Sequence, residues 1–216
     1  MLTSGMAFKT AVTNIFNACA ALILIVSFLR HKPLTKRDKL WINAYLAFFF
    51  VCLSGFVLHA FVLPEAVLKP LWCIMFWCLD YMLASYVKAV RYDIDGSRGM
   101  DRFRKIITVS TILFSLSLNA AVYLLKGNGA FMLFSCFALL YLVYIIVRLA
   151  GKVRECPCFL WYLAAIAFLI TGSILQTIEG LEVTIIWSFN RDCIYHFMTF
   201  IFVLLQYIGI VRLKGA

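Results

Sequence analysis

Two of the three histidines, His59 and His196, fall inside stretches otherwise apolar enough to cross a membrane. Asp80 and Asp192 fall in the same territory. An ionisable side chain in a bilayer is costly and needs a partner or a task. Imidazole and carboxylate both ligate zinc well, so two of each make a candidate metal set. Asp192 and His196 are one helical turn apart, about 40° around the axis, and share a face that Thr199 continues. Both can lean toward one ion. The competing reading of Asp192 is electrostatic, because a carboxylate in the first turn of a helix is favoured by the helix dipole.

The elements that must carry these groups are membrane helices. The chain has 216 residues, 64% hydrophobic and 14% charged. A soluble domain is nearer half apolar and a quarter charged, so the solvent here must be lipid. About 20 apolar residues make one span. Seven stretches qualify, at about 8–29, 41–63, 70–91, 106–125, 130–150, 158–178 and 192–211. The expected fold is an all-α bundle of seven transmembrane helices, with residues 1–216 forming one multi-pass integral membrane domain. The first run is too long for a signal-peptide core and reads as a retained helix. Turn chemistry separates the runs: Pro33, Pro64 with Pro70, Asp95-Gly96-Ser97, Gly127-Asn128-Gly129 and Pro157.

Lysine and arginine set the direction. Loops assigned to one side, with the helix ends that reach them, hold 16 of these residues, from Arg30 and Lys32 through Lys88 to Lys214. The other side holds Lys9, Lys69, Lys126 and Arg191. The bias predicts an outside amino terminus and a cytoplasmic carboxyl terminus. The net charge of +10 is spread over short loops, which fit anionic lipid headgroups rather than nucleic acid. Most of the eight cysteines fall within helices as small apolar residues. Cys156-Pro-Cys158 lacks the usual two-residue spacing of a metal or redox pair and reads as a reduced juxtamembrane pair open to acylation.

Depth then sorts the polar groups. His59 is five residues before Pro64 and His196 five after Arg191, so each lies roughly 7 Å inside the same boundary. Asp80 lies about 15 Å deep, more than a turn from that level. It suits either a neutral acid hydrogen-bonded to a neighbouring helix or a proton relay. Gln176 and Glu179 sit where they would line the mouth of a site, or serve the interface. Trp72, Trp77, Trp161 and Trp187 read as packing and interface anchors.

The motifs are Ser54-Gly-Phe-Val-Leu-His59, Trp77-Cys-Leu-Asp80-Tyr81 and Asn190-Arg-Asp192-Cys-Ile-Tyr-His196. With the helix count, orientation and order, they resemble the CREST superfamily. That group of seven-helix membrane proteins includes alkaline ceramidases, progestin and adipoQ receptors, hemolysin III-like proteins and Per1-type lipid remodelling proteins. The resemblance implies zinc held by His59 and His196, with Ser54 and Asp80 supporting a zinc-bound water. Three features differ from the family pattern. Serine to histidine is five residues rather than four, which turns a helix by about 140° and leaves Gly55 in the serine's place. Asp192 stands where the family has its first helix 7 histidine. Helix 1 lacks the acidic calcium-binding stretch of alkaline ceramidases.

The expectation from residues and resemblance together is a zinc-dependent membrane hydrolase. His59, Asp192 and His196 are its expected metal ligands, and Asp80 and Ser54 its expected catalytic groups. Its substrate would be a lipid amide or ester that enters sideways between helices. Zinc would polarise the carbonyl and make hydroxide available near neutral pH. The first alternative is a seven-helix receptor or lipid-responsive protein in which the polar cluster is a structural lock. The second is a small proton-coupled transporter, against which stands the absence of an internal repeat. Membrane lipids are the expected partners, and the sequence assigns no oligomeric state.

Overall fold

The structure is a computed structural model that describes residues 2–3, 5–30, 33–125, 129–184 and 188–214. Lys32, Lys126, Trp187 and the Gly127-Asn128 part of the fourth turn lie outside the described residues. Seven helices run in chain order: α1 (Met6–Leu29), α2 (Lys36–Ala60), α3 (Glu65–Asp95), α4 (Met100–Leu124), α5 (Gly129–Ala150), α6 (Phe159–Gln176) and α7 (Arg191–Lys214). All seven are long and apolar enough to cross a membrane, so by length and composition the chain is a multi-pass membrane protein. A short hairpin, β1 (Glu182–Thr184) and β2 (Ser188–Asn190), joins α6 to α7 and pairs Glu182 with Asn190.

Neighbour relations close a ring. α1 packs on α2 and α7, α2 on α3, α3 on α5, α5 on α6, and α6 on α7. α4 lies outside this ring against α3 and α5. Aromatic side chains fill the interior: Trp41 of α2 meets Tyr86 of α3 and Tyr162 of α6, and Phe28 of α1 meets Tyr207 of α7. Close approach of α6 and α7 depends on glycine. A Cβ on Gly209 would lie 2.6 Å from Cε2 of Tyr162.

The helix ends differ from the expected spans for identifiable reasons. α2 begins at Lys36, earlier than hydropathy suggests, because Thr35 and Asp38 form a capping box. It ends at Ala60, since Phe61 is already extended and Pro64 follows. His59 therefore stands in the last turn of α2, not a full turn inside the boundary. α3 runs on through Asp95, past the expected stop at 91, and carries Pro70 within its second turn. Its end is the expected Asp95-Gly96-Ser97 turn, where Gly96 takes a positive φ of 64°. Cys156 and Cys158 are bonded to each other at the α5–α6 turn, which corrects the expected reduced pair.

The two ends of the bundle differ in chemistry. One carries His59, the start of α1 and the hairpin and is called here the histidine end. The other carries Arg37, Asp93 and the start of α6 and is called the arginine end.

Candidate functional site: two polar clusters joined by α7

At the histidine end, α1 supplies a polar face that the site depends on. Thr10, Asn14 and Asn17 recur at helical spacing and are each at least 97% buried. Thr10 Oγ1 donates to Asn190 Oδ1 at 3.3 Å and lies 3.4 Å from Cys193 Sγ. Asn17 Nδ2 donates to the backbone oxygen of His196 at 3.0 Å. Asn14 Nδ2 lies 3.1 Å from both Thr10 O and His196 Nε2. As an N–H donor, it makes that imidazole nitrogen an acceptor. α1 thus holds α7 through both the ring and the backbone of His196.

His59 reaches the same place from the other flank of α1. The His59 and His196 ring centroids are 6.3 Å apart, with the ring planes at 77°. Thr3 ties down the end of α2, its Oγ1 donating to His59 O at 2.5 Å and its N–H to Ala60 O at 2.9 Å. Asp192 stands one turn before His196 on α7. Its Oδ1 accepts from Gln176 Nε2 of α6 at 3.1 Å. An open cleft of about 470 Å³ lies beside Asp192 and is lined by Glu179, Glu182, Asn190 and Arg191. His59, Asp192, His196 and Gln176 are therefore brought together, with Glu179 at the rim.

Asp80 and Ser54 make no hydrogen bond to this cluster among the described residues. Asp80 is buried against α4, where Ser115 Oγ donates to its Oδ2 at 2.5 Å. Ser54 is half-buried on α2 and makes no side-chain hydrogen bond among the described residues. Gly55, one turn before His59, is the residue that faces Asn14. A Cβ there would lie 2.7 Å from Asn14 Oδ1.

The side chains as they lie do not fit a zinc ion. Two imidazoles sharing a tetrahedral zinc with Zn–N near 2.0–2.1 Å place their centroids about 5 Å apart, closer than is seen here. His196 Nε2, one of the two ring nitrogens through which an imidazole binds metal, is engaged by the Asn14 amide, and one of the two Asp192 carboxylate oxygens accepts from Gln176. No group of three or more His, Cys, Asp or Glu at metal-holding geometry occurs among the described residues.

The second cluster, at the arginine end, was not legible in the sequence reading. The Asp93 side chain is fully buried and paired with Arg37, whose Nε and Nη2 both reach it. It also accepts from Trp41 Nε1 at 3.0 Å and Tyr162 Oη at 2.6 Å. Arg37 Nη2 donates to the backbone oxygen of Ile210 at 3.2 Å. One turn away, Tyr86 Oη donates to Gln206 Oε1 at 2.9 Å. Lys214 Nζ meets Asp38 at 2.6 Å. α2, α3, α6 and α7 are thereby joined around one carboxylate. The available signal was the Asp93-x-Asp95 pair in the last turn of α3 and Arg37 one turn before Trp41, with Asp93, Asp95 and Arg37 outside the apolar windows.

No curated protein and no solved structure matches this chain significantly. A family model described as a family of unknown function (DUF6962) matches residues 9–214, and the chain belongs to that family.

Proposed function

We propose that this protein is a seven-helix membrane receptor or lipid-responsive protein that works without catalysis. In this reading the histidine cluster is a hydrogen-bonded lock on α7. The carrying observation is the Asn14 amide on His196 Nε2 at 3.1 Å, because it commits that ring nitrogen to a hydrogen bond between α1 and α7. Asp80 supports the same reading, since its hydrogen bond to Ser115 belongs to a different helix interface. The basic residues gather at the arginine end, so the reading puts that end in the cytoplasm and the amino terminus outside.

α7 supplies the means of response. His196 is fixed to α1 at one end, and the Ile210 backbone is fixed to Arg37 at the other, 14 residues or about 21 Å along the helix. A lipid or other ligand that draws His196 away from Asn14 moves a rigid element whose far end holds the Arg37–Asp93 pair. The ligand then shifts the balance between two arrangements by its differential affinity for them.

The test reads the far end. With Trp72, Trp77, Trp161 and Trp187 replaced by Phe, Trp41 alone reports on Asp93. Asn14→Ala is expected to shift Trp41 emission, and a change of lipid composition is expected to move it in the wild-type background. Unchanged emission in both cases would overturn the reading.

The second reading is the zinc-dependent lipid hydrolase. It is favoured by the 6.3 Å approach of His59 and His196 with Asp192 one turn before His196. It requires the rings to close by about 1 Å and, for ligation through Nε2, Asn14 to leave His196. When bound, zinc would supply carbonyl polarisation and an activated water. Asp80 is hydrogen-bonded to Ser115 of α4, and Ser54 makes no side-chain hydrogen bond among the described residues.

A further inference from the structure

We propose that the junction of α3, α4 and α5 at the arginine end is a binding site for the phosphate of an anionic phospholipid, built on Arg91 and Arg148. Arg91 of α3 and Arg148 of α5 converge on the same oxygen, Oδ2 of Asp95, with Arg148 Nη2 at 2.5 Å. Two guanidinium groups on one carboxylate leave a net positive charge. Arg148 Nε is buried and has no hydrogen-bond partner among the described residues. Arg91 lies over the Phe103 ring of α4, 5.8 Å from its centroid, and Phe103 stacks on Tyr144 of α5. The aromatic floor fixes the guanidinium plane and offers an apolar wall to an acyl chain.

Position along the membrane normal fits a headgroup. α3 has 31 residues and is about 46 Å long, against a hydrocarbon core of about 30 Å, so its last turns reach the headgroup layer. Arg148 is two residues before the end of α5 and reaches the same level. The surrounding charge is predominantly positive. Lys88, Arg91, Arg98, Arg102, Arg104 and Lys105 fall between 88 and 105, with Asp93, Asp95 and Asp101, and Asp93 is already taken by Arg37. Basic pockets between transmembrane helices are suited to anionic headgroups, and the guanidinium fork matches phosphate oxygens. Asp95 holds the two arginines in place and at the same time competes with the lipid for them.

That competition gives the test two variants with opposite outcomes. The full chain in mild detergent is titrated with dioctanoyl phosphatidic acid, dioctanoyl phosphatidylcholine and inorganic phosphate, and retained lipid is counted by native mass spectrometry. Phosphatidic acid is expected to be retained over phosphatidylcholine. Arg148→Gln is expected to weaken its retention about fivefold, the effect of one charge near a surface. Asp95→Asn is expected to strengthen it, while leaving phosphatidylcholine unchanged in both variants. Equal retention of the two lipids would overturn the proposal. So would Arg148→Gln and Asp95→Asn moving retention in the same direction, as a merely structural triad would. Displacement of the lipid by an equal concentration of inorganic phosphate would overturn the lipid assignment.

Discussion

Asn14 of α1 and His196 of α7 lie side chain to side chain, the amide nitrogen 3.1 Å from Nε2. They are 182 residues apart in sequence, and their contact closes the helix ring between its first and last members. In lipid there is no water to replace a lost partner, although helix–helix hydrogen bonds there average only about 0.6 kcal/mol because unfolded helices find other partners. Asn14→Ala removes the donors to both His196 and Thr10 O. It is expected to cost about 1 kcal/mol in reversible unfolding from detergent. A stability equal to wild type would show that the contact does not hold α7.

Gly55 sets how close α2 comes to that pair. A side chain there meets Asn14 Oδ1, and Asn14 cannot swing away without leaving His196. Gly55→Ser is expected to destabilise by about 1–3 kcal/mol, the usual range for overpacking. Combining it with Asn14→Ala should cost less than the sum of the single changes, measured as a double-mutant cycle. Strict additivity would place Gly55 and Asn14 in separate environments.

The arginine end should be the more sensitive of the two. Arg37→Ala leaves the Asp93 carboxylate buried without its counter-charge and is expected to cost about 3–5 kcal/mol. Replacing both residues by apolar ones of similar size, Arg37→Met with Asp93→Leu, is expected to recover much of that loss. Unfolding in a graded denaturant series checks both. A double variant no better than Arg37→Ala alone would mean that Trp41 and Tyr162 depend on the carboxylate itself.

Asp80→Asn should be mild. The amide oxygen still accepts from Ser115, and the interface of α3 with α4 keeps its hydrogen bond. The expected cost is below about 1 kcal/mol. Trp41 emission in the single-tryptophan background should not move. A large shift would tie Asp80 to the α7 clusters, and loss of a lipid-cleaving turnover would support the hydrolytic reading instead.

The seven helices were legible because each carries an apolar run of membrane length between strong turn residues. The meeting of His59 and His196 was legible too, from two counts of five residues to a boundary. The depth assigned to His59 was not, because Phe61, Val62 and Leu63 are apolar yet extend ahead of Pro64. Asn14 and Asn17 passed unnoticed inside a hydrophobic run, although Thr10, Asn14 and Asn17 share one face. Asp93 and Arg37 were lost for the opposite reason: charge lowers hydropathy, so the apolar windows stopped short of both. Asp80 is buried, as its depth along α3 predicts, but depth alone does not say which way a helix faces, and it faces Ser115. Partners across the bundle are set by packing, which no single helix records.

In the proposed lock, His59, Asp192 and His196 are held by hydrogen bonds and packing rather than by a cation. Elemental analysis of the intact chain, purified in mild detergent without chelator, tests this most directly. The expected zinc content is far below one atom per chain, unchanged in His59→Ala and His196→Ala. About one zinc per chain, lost in both variants, would contradict it and restore the hydrolytic reading.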